Sequence, residues 1–241
     1  MQSTKFISVT STIKNSGKTS TALGLVISLV TDGYKVLYLS VDNKFNFLPR
    51  EKEDHNLVRD YILKKVTLKR ATRHFYSFYP FDILDIDVEN VKWLLQLTEK
   101  QQATLISKTL KEIAYERYHY VVIDINYKDK PLHNAIINMS DHVFYTINVK
   151  RYEEKVTQHE INSFFSLINK KDHVKLLITQ FNKFMVDHHK FIENLKYIYD
   201  GFLLDHQIET SRAMRNRIDH AYNFTRVDKL CKPIKNFLLK S

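Results

Sequence analysis

Gly17-Lys18-Thr19 sets a conformationally free residue, a long cation and a hydroxyl side by side. An apolar, β-branched run with Phe6, Ile7 and Val9 precedes them, and Ala22, Leu23, Val26, Ile27, Leu29 and Val30 follow at helical spacing. Strand, short polar loop, helix is the context in which a G-K-T triplet binds phosphate. Backbone N–H groups at the helix start, with the positive end of its dipole, face phosphate oxygens. Lys18 would reach the β/γ-phosphates and the Thr19 hydroxyl would sit on Mg²⁺. The full pattern is G-x-x-x-x-G-K-[ST], and Thr12 occupies its first glycine position. Asn15, Ser16, Gly17, Lys18, Thr19 and Ser20 are the candidate nucleotide-binding residues.

Two carboxylates complete a possible magnesium-nucleotide site. Lys35-Val36-Leu37-Tyr38-Leu39-Ser40-Val41-Asp42 is a near-continuous apolar run ending in an acid, the pattern of a strand buried on both faces. Ligands of open α/β sheets sit at the carboxyl ends of strands, so Asp42 belongs near phosphate and metal. Tyr118-His119-Tyr120-Val121-Val122-Ile123-Asp124 has the Walker B form, in which the Asp124 carboxylate would hold Mg²⁺ directly or through water.

The remaining elements must position these groups. The spacing predicts a helix around Leu57–Val66 and a strand broken at Pro80 within His74–Ile86. Helices are expected over Val88–Leu97 and Thr98–Tyr115. Further on, strands are expected at Asp141–Ile147, Val174–Thr179 and Gly201–Leu204, with helices at Tyr152–Ile168 and His188–Ile198. Two C-terminal helical pieces follow near Ser211–Tyr222 and Lys232–Leu239, with Pro233 expected to restrict the last to about two turns. Strands alternating with helices specify an α/β fold: a doubly wound, mostly parallel β-sheet with helices on both faces. No repeat or linker divides the 241 residues, so one domain over 1–241 is expected.

Composition narrows the function classes. Hydrophobic residues make up 44% of the chain, enough for a sizeable core, and no apolar run approaches the ~20 residues of a membrane span. With one cysteine, Cys231, an internal disulfide is impossible, and a reducing, cytoplasmic setting is expected. The net charge of +10 suits an anionic partner. No G-x-S-x-G elbow is present, and the His188-His189 pair has no second ligand set at metal-binding spacing.

The order of the motifs is a G-K-T loop, a strand ending in Asp42, Y-H-Y-V-V-I-D ending in Asp124, then S-D-H-V-F-Y and L-L-I-T-Q-F-N-K. It resembles the ParA/MinD group of P-loop ATPases from Lys5 to about Phe224. The resemblance implies ATP and Mg²⁺ as cofactors, a homodimer with two nucleotides sandwiched at its interface, and slow hydrolysis stimulated by an adaptor protein. It implies that Asp42 positions the attacking water, that Asp124 is the Walker B acid, and that Asn182 reads the adenine edge. The family loop K-G-G-x-G-K-T is replaced by I-K-N-S-G-K-T, so the signature lysine that acts across the dimer falls at Ile13. Lys14, one place along, is the candidate to replace it, and Asn15 and Ser16 stand where the family has small residues.

Arg212, Arg215 and Arg217 cluster toward the C-terminus as candidates for non-specific DNA binding. Val227, Leu230, Ile234, Phe237 and Leu238 alternate with lysines at helical spacing. That pattern fits peripheral membrane contact less well than a final helix packed on the core. A capsule-type tyrosine-kinase relative is disfavoured because residues 223–241 contain no tyrosine. The function expected is an ATP-switched ATPase that partitions or positions DNA or a cellular assembly. The alternative is a catalytically degenerate P-loop scaffold in a secretion, pilus or conjugation apparatus.

Overall fold

The computed structural model describes residues 3–13, 15–41, 54–75, 80–86, 88–116, 118–125, 130–149, 154–169, 171–209 and 224–240. Alternating strands and helices run in the order β1 (Lys5–Thr10), α1 (Lys18–Thr31), β2 (Val36–Val41), α2 (Asp54–Ile62), α3 (Leu68–Ala71), β3 (Arg73–Phe75), β4 (Phe81–Ile86), α4 (Val88–Leu95) and α5 (Glu99–Tyr115). They continue with β5 (Tyr120–Ile125), α6 (Lys130–Met139), β6 (His142–Asn148), α7 (Glu154–Ser166), β7 (Val174–Thr179), α8 (Val186–Ile198) and α9 (Phe224–Lys240). The seven strands form one sheet in the order β3-β4-β2-β5-β1-β6-β7. All pairs are parallel except β3 with β4. The doubly wound, mostly parallel sheet read from the sequence is the fold.

β1 lies between β5 and β6, so the chain moves to one side of it for β2 and β4, returns through β5, and leaves on the other side. Such a reversal opens a crevice at the carboxyl ends of the strands. Side chains alternate between the two faces. Ile7, Val9, Tyr38, Val122 and Phe144 pack against α1 and α9, while Leu37, Leu39, Val121, Tyr145 and Ile147 face the opposite layer with Leu110, Ile136 and Phe164.

Local chemistry explains several boundaries. Thr98 caps α5: Gln101 N–H donates to Thr98 Oγ1 at 3.4 Å and Thr98 N–H to Gln101 Oε1 at 2.9 Å. The segment interrupted at Pro80 is two strands, with β3 running antiparallel beside β4. Helix α6 was not anticipated between Asp124 and Asp141, although Leu132 and Ile136, one turn apart, are its buried contacts. Residues 201–204 do not form the expected strand. Leu203 makes one isolated bridge with Leu176, and the chain advances from Leu204 to Ile208 while its partner advances only from Leu176 to Ile178.

The C-terminus corrects another expectation. Pro233 lies inside α9, which is continuous from Phe224 to Lys240. An interior proline costs roughly 3 kcal/mol. Burial of Cys231, Ile234 and Leu238 against the α1 layer offsets it. Lys235 adds an ion pair with Asp32 at 2.8 Å and a bond to Ser28 O at 3.3 Å. Ile234, Phe237 and Leu238 of the apolar stripe therefore pack on the core, as the sequence favoured over a membrane face. Among the described residues, no helix is long and apolar enough to cross a membrane.

Candidate phosphate site

The polar loop leaves β1 at Thr10 and enters α1 at Lys18. Gly17 is the N-cap of α1 with φ of +86°, a left-handed conformation that L side chains adopt only under strain. A Cβ there would lie 3.3 Å from both Cβ and Oγ1 of Thr179 on β7. Glycine is therefore required twice, by backbone angle and by space. Gly17 brings no capping side chain, and the first turn of α1 carries no acid to neutralise the positive dipole end. Lys18, mostly buried, and Thr19, partly exposed, begin the helix.

Side chains from β6 and β7 hold the loop in place. The Thr179 hydroxyl donates to Ser16 O at 2.6 Å, and Ser16 Oγ shares a hydrogen bond with Thr146 Oγ1 at 2.9 Å. Asn148 Nδ2 donates to Asn15 O at 2.9 Å, and Gln180 Nε2 reaches the same oxygen at 3.3 Å. Asn15 is itself left-handed, with φ of 56°. Thr12, in the place of the first motif glycine, hydrogen-bonds through its hydroxyl to the Tyr145 hydroxyl. Burial pushes the Tyr145 phenol up to about 12, so it stays protonated at neutral pH. Below the loop, His133 Nε2 on α6 lies 2.8 Å from Thr10 Oγ1, and burial pushes this histidine down to about 3. A neutral imidazole thus supports the end of β1.

Asp124 sits at the carboxyl end of β5, in register with Val9 of β1 and Ser40 of β2. Val122, two residues earlier, belongs to the layer packed on α1, so Asp124 and the first turn of α1 share one face of the sheet. Its side chain is fully buried, and Tyr38 donates a hydrogen bond to Oδ2 at 2.9 Å. A hydroxyl at Thr19 and a carboxylate at Asp124, beside a helix start with no N-cap side chain, form an oxygen donor set that suits phosphate-bound Mg²⁺. On this chemistry the residues fit a magnesium-nucleotide.

Asn182 follows β7 on the same edge. Its backbone N–H donates to His188 Nδ1 at 3.0 Å, and its Oδ1 accepts from Phe184 N–H at 3.1 Å. Asp42, Lys14, Arg212, Arg215 and Arg217 lie outside the described residues. The geometry therefore joins the loop, α1 and Asp124. It adds residues that the sequence reading passed over: Thr179, Asn148, Gln180, Tyr145, Thr146, His133 and Tyr38. Thr179, Gln180 and Asn148 are polar residues closing otherwise apolar strands, as in V-K-L-L-I-T-Q, but nothing in the sequence ties them to the loop.

The AAA domain family AAA_31 matches residues 4–178 of the chain. No curated protein matches the sequence. Among solved structures, the fold is similar to that of apo McdA from Cyanothece, with 16% identity over 98% of this chain and 99% of that one and a TM-score of 0.78. It is also similar to a plasmid partition protein from Borrelia burgdorferi B31 bound to AMPPNP, with 19% identity, 99% coverage of each chain and a TM-score of 0.71. Cobyrinic acid a,c-diamide synthase from Mycobacterium smegmatis with bound ADP and magnesium shares 15% identity over 96% of each chain, with a TM-score of 0.72. Joined to the match over residues 4–178, this architecture makes the chain a member of the AAA domain family AAA_31 with the fold of a ParA/MinD-like P-loop ATPase.

Proposed function

We propose that the chain is an ATP- and Mg²⁺-binding switch ATPase of the ParA/MinD type that partitions or positions DNA or a cellular assembly. The observation that carries this reading is Gly17, left-handed and pressed against Thr179, at the start of a helix that offers Lys18 and Thr19 to a phosphate. Solved relatives of this fold bind AMPPNP in the partition protein and ADP with magnesium in the synthase, which supports the same ligand class here.

In this reading, backbone N–H groups of Gly17 to Ser20 and the Lys18 ammonium hold the phosphates. Asn15 and Ser16 shape the loop, and Asn182 reads the adenine. Bound Mg²⁺ neutralises phosphate charge and polarises the transferred group. Thr19, Asp124 and Asp42 are its candidate ligands, with Asp42 also orienting water. ATP binding then favours a homodimer with nucleotide at the interface, and an adaptor protein stimulates release. Arg212, Arg215 and Arg217 are the candidate contacts to DNA.

Ile13 favours a second reading, in which nucleotide is bound without turnover and the protein serves as a scaffold. Its apolar side chain stands at the signature position, leaving Lys14 as the candidate replacement. Size-exclusion chromatography with light scattering and steady-state phosphate release, each with and without ATP, separate the readings. The switch predicts an ATP-dependent dimer and slow turnover that Lys14→Ala and Lys18→Ala abolish. Binding without either response would select the scaffold. A mobility shift on non-specific DNA that requires ATP would support the partition role, and no shift at low salt would remove it.

A further inference from the structure

We infer that Tyr38 is a positioning residue for the magnesium-binding carboxylate, fixing Asp124 through the hydrogen bond from its phenol. The inference rests on the reading of Asp124 as a metal ligand.

Tyr38 and Asp124 are not cross-strand partners. Tyr38 pairs with Val122, and Asp124 pairs with Ser40. Two residues along a parallel strand span about 6.6 Å, so only a side chain as long as tyrosine can reach from the Tyr38 position to the carboxylate at the strand end. The ring itself lies among apolar side chains. Val9, Val36, Ile83 and Val122 share this layer, and Phe81 packs edge-on against the Tyr38 ring with centroids 6.5 Å apart. Phenylalanine would fill the same space. The hydroxyl donates to Asp124 Oδ2 at 2.9 Å, between residues exposed by only 2% and 0%, and also hydrogen-bonds with the Ser40 side chain.

The chemical type of the donor also matters. A lysine or arginine in this place would cancel the negative charge that attracts a divalent cation. A neutral phenol restricts the carboxylate rotamer and leaves the charge in place. The neighbouring carboxylate is handled differently: Asp85 on β4, in register with Ser40, is paired with the Arg73 guanidinium. Along one register row, Tyr38 is a neutral partner of the acid nearer the phosphate loop and Arg73 a cationic partner of the acid farther away. Outer groups that orient metal ligands commonly alter metal affinity by 10–100-fold when removed.

The test is Mg²⁺ titration of ADP binding, followed with a fluorescent ADP, for wild type, Tyr38→Phe, Asp124→Asn and the double variant. Tyr38→Phe should raise the Mg²⁺ concentration for half-saturation by about tenfold, while affinity for ADP in EDTA stays within about twofold. In the Asp124→Asn background, Tyr38→Phe should have no further effect, because the carboxylate it orients is gone. ADP affinity in EDTA within about twofold of wild type shows that each variant is folded, so the Mg²⁺ comparison stays decisive. Half-saturation unchanged in Tyr38→Phe but raised in Asp124→Asn overturns the role of Tyr38 and leaves the metal reading intact. Equal effects of Tyr38→Phe in both backgrounds reduce it to a packing role and also overturn the inference. No response to Asp124→Asn removes the metal reading and, with it, the inference.

Discussion

The two ends of α1 are both closed by a left-handed glycine, and they differ in almost everything else. At the C-terminal end, Gly33 has φ of +84°, with nothing within 4 Å of where a Cβ would be. Gly33 N–H bonds to Val30 O at 2.9 Å and Tyr34 N–H to Leu29 O at 3.2 Å, an ordinary Schellman ending. Asp32 is paired with Lys235 of α9. At the N-terminal end, Gly17 has nearly the same φ but is pressed on Thr179, and the loop before it is tied by side chains to β6 and β7. A helix stop needs only the backbone angle. A phosphate loop also needs a fixed path, and here hydroxyls and amides of β6 and β7 fix that path.

Substituting the two glycines would break this comparison most sharply. Gly17→Ala should cost at least ~1–2 kcal/mol from the left-handed conformation alone, with the Thr179 contact adding to it, and should weaken ATP at least tenfold. Gly33→Ala meets the same backbone penalty of ~1–2 kcal/mol without the contact, and ATP affinity should stay within about twofold. Denaturant melts and ATP titrations on both variants check the contrast. Equal losses of ATP affinity would mean that the crowding at Gly17 has no role.

The support beneath the loop gives a smaller, pH-dependent effect. His133 is held near 3, below the ordinary 6.5, so the unfolded chain binds the proton more tightly. Its contribution is complete above pH 6.5 and is lost progressively as pH falls toward 3. By pH 5 the loss is about 2 kcal/mol. Urea melts at pH 7 and 5 should show His133→Gln less acid-sensitive than wild type by about that amount. An unchanged slope would separate His133 from acid stability.

The far end of α1 should give the smallest effect. Asp32→Asn leaves the Lys235 ammonium buried with its bond to Ser28 O, but Asp32 is partly open to water, so the pair is worth only about 1 kcal/mol. Stability should fall by that much with ATP affinity unchanged. A large loss of ATP affinity would show that the two ends are coupled through the helix.

Much of this contrast could be read in the residues. Gly17-Lys18-Thr19 between a β-branched run and a helical pattern located the loop, and the apolar runs ending in Asp42 and Asp124 located two central strands beside it. Elements buried on both faces are legible because nearly every residue in them is apolar. The loop fastenings were not legible, because Thr179, Asn148 and Tyr145 are far from the loop in sequence and meet it only through the order β5-β1-β6-β7. α9 was misread for a related reason: the local effect of Pro233 argued for a short helix, and packing of Cys231, Ile234 and Leu238 on α1 prevailed. The short strand expected at 201–204 failed because its pairing with β7 slips after Leu204.

The most direct test of the central claim is calorimetric titration of the full chain with ATP and Mg²⁺, beside Lys18→Ala. Saturable binding is expected at or below about millimolar ATP, weakened at least tenfold when the charge-assisted contact of Lys18 is removed. No saturable binding by the wild type in that range, or equal binding by Lys18→Ala, would contradict it.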